Sequence, residues 1–103
     1  MPMTGKERAA LRAEAHHLDP LVHVGHQGFT PAVFKSLDDA LRTRELVKIS
    51  VARTAPVPAK DAANALATEA AAEVVQVIGR TVTLYRHNPE LERKPGDPPA
   101  WRA

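Results

Sequence analysis

Two glycines separated by two polar residues lie between an apolar segment and a helix-start signal. The segment is VGHQGFTP, residues 24–31, and its glycines are Gly25 and Gly28. Glycine lets a backbone turn sharply and approach a ligand without a Cβ in the way. The first N–H groups of a helix have no partner within the helix, and the helix dipole adds partial positive charge there. The spacing therefore predicts a binding site for an anion such as a phosphate.

The motif is not specific by itself, because two glycines three positions apart also occur in ordinary tight turns. Nucleotide cofactors fit it less well, since the dinucleotide fingerprint needs three glycines and the P-loop needs a Gly-Lys-Ser/Thr end. KH modules use a Gly-x-x-Gly loop to clamp a nucleic-acid backbone. From the motif alone, Gly25, His26, Gln27, Gly28 and Thr30 are either candidates to contact a nucleic-acid backbone or parts of an ordinary tight turn. Replacing either glycine with aspartate is expected to weaken binding and to leave the fold intact.

Four histidines fall within eleven positions, at His16, His17, His23 and His26. Imidazole is a good zinc ligand, but the chain has no cysteine, and no clear carboxylate accompanies these histidines at ligand spacing. No nucleophile–base pair or carboxylate pair stands out either. We therefore predict no metal, no cofactor, no small-molecule substrate and no catalysis. An RNA-processing enzyme that uses His26 is the alternative, although no partner acid or base can be named for it.

Hydrophobic periodicity and capping signals predict three helices and four strands. The helices are expected over Thr4–His16, Pro31–Arg44 and Ala59–Ala72, and the strands over Leu21–Val24, Leu46–Ala52, Val74–Ile78 and Thr81–Arg86. Helical crossovers make the first three strands parallel, and the Gly79-Arg80 hairpin makes the last strand antiparallel to the third. The prediction is an α/β (α+β two-layer) fold with the order αβαβαββ and a mixed four-stranded sheet.

The second helix has strong start signals. Thr30 is a good N-cap and Pro31 suits the first helical position. Phe29 and Phe34 occupy the two positions of a hydrophobic staple. The glycine motif should therefore lead directly into a helix N-terminus.

Length and composition suit one small domain, which we expect to be a monomer in the cytoplasm. The chain has 103 residues, no cysteine and a net charge of +2. Residues 1–60 hold nine basic and six acidic side chains, so an anion-binding face should come from the first half. No apolar run approaches the roughly 20 residues of a membrane span. We expect a domain over residues 1–86 and a proline-rich, mostly disordered tail over 87–103, with Trp101 as its one anchor.

Three blocks resemble the CRM (chloroplast RNA splicing and ribosome maturation) domain and its bacterial YhbY-like form. They are residues 15–30, 45–49 and 75–86, and the likeness spans residues 4–86. The resemblance implies a fold like the C-terminal domain of translation initiation factor three. It also implies binding to RNA of large-ribosomal-subunit precursors, with the loop Gly25–Gly28 as an RNA contact. Family members often carry Lys or Arg inside this loop, whereas this chain has His26 and Gln27.

Several side chains outside the loop are predicted to support RNA binding. They are Lys6, Arg12, Lys35, Lys48, Arg80, Tyr85 and Arg86. Tyr85 could stack on a base, or it could be a half-buried sheet residue under the first helix. The leading hypothesis is an RNA-binding assembly factor of the large ribosomal subunit. The alternative is a module that docks on ribosomal or RNA-processing proteins, through the tail around Trp101 or an open sheet face.

Overall fold

The computed structural model describes residues 3–91 and 99–102. Its helices are α1 (Gly5–Ala15), α2 (Pro31–Arg44) and α3 (Ala59–Ala70), and its strands are β1 (Val22–Val24), β2 (Leu46–Val51), β3 (Glu73–Ile78) and β4 (Thr81–Tyr85). A short 3-10 turn covers Ala100–Arg102. The predicted order of elements is confirmed, and the predicted boundaries differ from these by at most two residues.

The strands form one mixed sheet in the order β1-β2-β4-β3. β1 pairs with β2 in parallel, and β4 pairs antiparallel with both β2 and β3. Strands β1, β2 and β3 therefore run in the same direction, as predicted. The sequence did not indicate that β4 would lie between β2 and β3.

The two faces of the sheet are covered to different extents. Val47, Ile49 and Val51 belong to the main core, which α2 and α3 cover. Leu46 lies on the opposite face in a smaller cluster, where α1 and Trp101 pack over it. The alternation along β2 predicted this division, because successive residues of a strand point to opposite faces.

Local sequence signals explain where the helices begin. The hydroxyl of Thr4 accepts a hydrogen bond from Glu7 N (3.1 Å), and the Glu7 carboxylate accepts one from Thr4 N (3.2 Å), which is a capping box. At the start of α2, the rings of Phe29 and Phe34 lie 5.9 Å apart, as the staple predicted. Helix α3 ends at Ala70, and the residue that caps it, Ala71, is in the left-handed conformation.

The described part of the tail packs on the domain. Asn88 N donates to a carboxylate oxygen of the fully buried Glu45 (2.7 Å), and Trp101 packs edge-on against Tyr85. Both described segments of this region, residues 87–91 and 99–102, therefore have contacts with the domain, and Trp101 provides one of them. Residues 92–98 of the predicted tail lie outside the described residues.

Among the described residues, no helix is long and apolar enough to cross a membrane.

Candidate nucleic-acid interface

The glycine motif forms a tight turn between β1 and α2. β1 ends at Val24, whose carbonyl accepts a hydrogen bond from Ala52 N (2.8 Å). Gly28 N then donates to Gly25 O (3.0 Å), which closes a four-residue turn. His26 and Gln27 are at the tip of the turn and are exposed. The turn therefore presents its backbone and two polar side chains to solvent.

The two glycines of the turn have different roles. Gly28 is buried and has φ +71°, and a Cβ at this position would lie 3.0 Å from Pro56 Cγ. Gly25 is exposed, and a Cβ there would meet no atom within 4 Å. Gly28 thus shapes the turn, and only Gly25 has open space above its backbone. This corrects the expectation that Gly28→Asp would leave the fold intact, since the positive φ and Pro56 both oppose a side chain there.

The start of α2 leaves one backbone donor free. Thr30 accepts from Val33 N at its hydroxyl (3.2 Å) and from Phe34 N at its carbonyl (3.2 Å). Pro31 has no N–H. Ala32 N donates to no other residue that the structure describes. Thr30 therefore acts as the helix cap, and Ala32 N is the amide available to an anion next to the turn.

Strand pairing brings two arginines to the end of the sheet that carries the turn. Val24 pairs with Val51, and Val51 N donates to Arg80 O (2.8 Å). Arg80 thus lies at the hairpin tip beside the end of β2, and Arg53 follows that end by two residues. Both side chains are exposed, and they line one groove of about 320 Å³ whose lining residues include no carboxylate.

Two lysines complete this basic surface. Lys35 is exposed in the second turn of α2, about 6 Å along the axis from the helix start. Lys60 is exposed at the second position of α3, next to Pro58 and Ala59, which line the arginine groove. We call the resulting surface the loop face, and its members are Gly25, His26, Gln27, Lys35, Arg53, Lys60 and Arg80.

Sequence reasoning missed Arg53 and Lys60. The signal for Arg53 was available, because the carboxyl ends of neighbouring parallel strands meet at one edge of a sheet. The position of Lys60 could not be predicted without knowing where α3 begins relative to that edge.

Two predicted basic residues lie elsewhere. Met3 N donates to a Glu73 carboxylate oxygen (3.1 Å), which fixes the start of α1 beside the start of β3. Because β1 and β3 run in the same direction, this is the sheet end opposite the glycine turn. Lys6, in the first turn of α1, is thus not brought to the loop face. Arg12 is exposed farther along α1, above the opposite sheet face.

Lys48 points to the face that was predicted for it, opposite Val47 and Ile49. Its Nζ donates to Leu18 O (3.2 Å), and the side chain is half-buried. Lys48 therefore lies beside the C-terminal end of α1 and is separate from the loop face.

Two other predicted contacts are occupied within the protein. Arg86 donates to Ala70 O (2.9 Å) and to Asp38 O (3.2 Å), and it pairs with the Asp38 carboxylate at 3.0 Å. Its side chain is only 22% exposed. Arg86 thus joins β4 to α2 and α3 and has little surface left for RNA.

Tyr85 lies under α1, as one of its two interpretations held. Its ring meets Trp101 edge-on, with centroids 6.3 Å apart. Burial raises the pKa of Tyr85 above its ordinary value of 10.0, and the carboxylates of Glu7 and Glu73 raise it further. The ring is therefore packed against the tail and is not presented to a base.

Comparisons with known proteins agree with this architecture. The sequence profile of the CRS1 / YhbY (CRM) domain matches residues 3–86. The chain belongs to the CRM family. The resemblance seen in the sequence is thereby confirmed.

Individual relatives extend the match. This CRM domain is 39% identical over 88 residues to the probable RNA-binding protein YqeI of Bacillus subtilis, covering 85% of this chain and 92% of the relative. It is 42% identical over 86 residues to a probable RNA-binding protein of Methanocaldococcus jannaschii, covering 82% of this chain and 63% of the relative. The solution structure of a Staphylococcus aureus protein superposes with a TM-score of 0.75 at 35% identity, covering 88% of this chain and 95% of the other.

The loop face has the features of an anion-binding surface, although the loop itself carries no fixed charge. Lys35, Arg53, Lys60 and Arg80 supply the positive charge around it, and the turn supplies backbone N–H groups. Such a surface can hold a chain of phosphates. Among the described residues, no cluster of three or more potential metal ligands is present.

Proposed function

We propose that this CRM domain binds ribosomal RNA as an assembly factor of the large ribosomal subunit, and that the loop face grips the RNA backbone. The observation that carries the proposal is the exposed turn at the start of α2, with open space above Gly25 and a free donor at Ala32. Relatives named as probable RNA-binding proteins support the ligand class. The link to the large subunit rests on the resemblance to the family.

The mechanism is binding alone. Backbone N–H groups near the turn donate to phosphate oxygens, and the helix dipole of α2 favours the negative charge. The four basic side chains of the loop face attract neighbouring phosphates. Phosphate contacts position a protein on RNA but carry no sequence code. We therefore expect affinity to depend on charge more than on base identity.

Salt dependence tests the electrostatic part. With about four phosphate contacts on a single strand, log K should fall against log salt with a slope near −3. Fluorescence anisotropy with a labelled single-stranded RNA measures this slope. Arg80→Glu should lower the affinity and make the slope less steep by the amount expected for roughly one lost phosphate contact. Lys6→Glu makes the same charge change at the opposite end of the sheet and serves as the control. Equal losses for the two variants would show that the location of the charge does not matter, and would refute the loop face.

The target RNA requires an experiment in cells. Crosslinking followed by sequencing of the attached RNA should recover large-subunit ribosomal RNA, and recovery should fall in Gly25→Asp. Recovery of unrelated transcripts at similar frequency would rule out the assembly role and would leave RNA binding itself in place.

A docking function on another protein is the second candidate. The tail around Trp101 packs on its own domain, so it supports docking less than the sequence indicated. The edge strand β3, however, exposes Val77 (36%) and Ile78 (56%). A pull-down that survives nuclease treatment and high salt, and that Ile78→Lys abolishes, would favour this function over RNA binding.

A further inference from the structure

A narrow polar groove lies on the sheet face that α1 only partly covers. Its polar lining residues are Lys48, Gln76, Thr81, Thr83 and His16, the last at the end of α1, and its apolar ones are Ala15 and Ile78. Its volume is about 150 Å³. That volume corresponds to about five water molecules. The groove therefore has room for a sugar or a phosphate group but not for a whole nucleotide.

Strand register places these polar side chains in two rows. In the first row, Lys48 pairs with Thr83, which pairs with Gln76. In the second row, Ser50 pairs with Thr81, two residues along β2 toward the end of the sheet that carries the glycine turn. His23 of β1 extends the second row, since it pairs with Ser50. Directly paired residues lie on the same face of a sheet. The rows thus form a polar track that runs from the groove to the strand leading into the glycine turn.

Thr83 is unusual within this track. Its residue is only 3% exposed, and its hydroxyl hydrogen-bonds to none of residues 3–91 and 99–102. Because Thr83 also lines the groove, its hydroxyl is available to hydrogen-bond to a ligand there.

Charge in the groove favours an anionic ligand. No lining residue is a carboxylate. Lys48 uses one donor on Leu18 O (3.2 Å), and an ammonium group has three. From strand spacing and rise, Gly25 lies about 12 Å from Thr81. One RNA strand of a few nucleotides can therefore contact both the loop face and the groove.

We propose that the groove binds the ribose–phosphate backbone of the same RNA strand and recognises its 2′-hydroxyl. Thr83 hydrogen-bonds to the 2′-hydroxyl at the bottom of the groove, and Lys48 contacts the adjacent phosphate at the rim. The 2′-hydroxyl is the group by which a protein tells RNA from DNA at a given site. This inference rests on the proposed RNA-binding function and adds a second contact region with its own selectivity.

Thr83→Val tests the proposal because it removes the hydroxyl and keeps the shape of the side chain. Affinity for a single-stranded RNA should fall about 2- to 10-fold, as expected for one hydrogen bond. Affinity for DNA of the same sequence should not change. Thr68→Val, at an exposed position of α3, is the matched control and should change neither affinity. Thr83→Ser keeps the hydroxyl and should retain the preference for RNA.

The possible outcomes separate the two proposals. Loss of RNA affinity alone in Thr83→Val, with retention in Thr83→Ser, supports recognition of the 2′-hydroxyl. Equal affinity of the unaltered protein for RNA and DNA overturns that recognition, as does a Thr83→Val variant that keeps the full preference for RNA. In both cases RNA binding lost in Gly25→Asp would leave the proposed function standing. If the unaltered protein binds no RNA, both proposals fail together.

Discussion

Gly28→Ala should lower the stability of the domain and Gly25→Ala should weaken RNA binding, although the two glycines belong to one turn. Gly28 has φ +71°, where an alanine costs about 1–2 kcal/mol relative to glycine. The new Cβ would also lie 3.0 Å from Pro56 Cγ, so the proline ring must shift. Together these effects predict a loss of about 2 kcal/mol in the free energy of unfolding. In a domain of this size that loss lowers Tm by about 8–16 °C.

Gly25→Ala should leave stability within about 0.5 kcal/mol, because a Cβ there meets nothing within 4 Å. It should weaken RNA binding instead, since the Cβ occupies space that a phosphate would use. Thermal unfolding followed by circular dichroism gives the two Tm values, and anisotropy with single-stranded RNA gives the two affinities below both transitions.

A third variant separates strain from contact. Adding Pro56→Ala to Gly28→Ala removes the close contact and leaves the positive φ, so it should restore only part of the lost Tm. Similar Tm values for Gly25→Ala and Gly28→Ala would refute the assignment of a shaping role to Gly28. An RNA affinity unchanged in Gly25→Ala would refute the close approach of phosphate to the turn.

Three further predictions follow from the other side chains. Tyr85 is the single tyrosine of the chain, so tyrosinate absorbance should report its pKa, which we expect above 10.0. Trp101→Ala should lower that pKa, because burial is the largest cause of the raised value. An unchanged titration in Trp101→Ala would contradict the packing of Trp101 on Tyr85. The pKa of Tyr85 is higher in the folded state than in the unfolded state, so the unfolded state loses the proton at a lower pH. The free energy of unfolding should therefore fall as pH rises from 10.0 to the pKa of the folded state. Tyr85→Phe should remove the part of this fall that Tyr85 causes. Arg86→Gln should lower the free energy of unfolding by about 1–3 kcal/mol through its lost contacts and should leave RNA affinity unchanged, whereas a selective loss of affinity would return Arg86 to the interface. His26→Lys should raise RNA affinity at neutral pH and steepen the salt dependence, and equal slopes for the two proteins would show that the turn tip does not contact phosphate.

The parts of the fold that sequence predicted well depend on short-range signals. The cap at Thr30, the proline that follows it and the Phe29–Phe34 staple are each fixed by neighbouring residues, and the structure has all of them. Alternation along β2 assigned Lys48 to the correct face for the same reason.

The parts that sequence missed depend on which strands become neighbours. A hairpin between β3 and β4 was evident, but nothing local indicated that β4 would pair with β2. That pairing brings Arg80 to the end of β2 and places Thr83 between Lys48 and Gln76. Arg86 was predicted to be a surface cation because its partners, Asp38 and Ala70, lie far from it in the sequence.

The position of β4 inside the sheet also determines the order in which parts of the domain can form while the chain is being synthesised. The glycine turn is synthesised about 55 residues before Arg80, which at roughly 5–20 residues per second is an interval of about 3–11 s. Until β4 has been made, β2 has only β1 as a neighbour in the sheet, because β4 is the strand that pairs with its other edge. A newly made chain therefore acquires a complete loop face only after the β3–β4 hairpin has been translated.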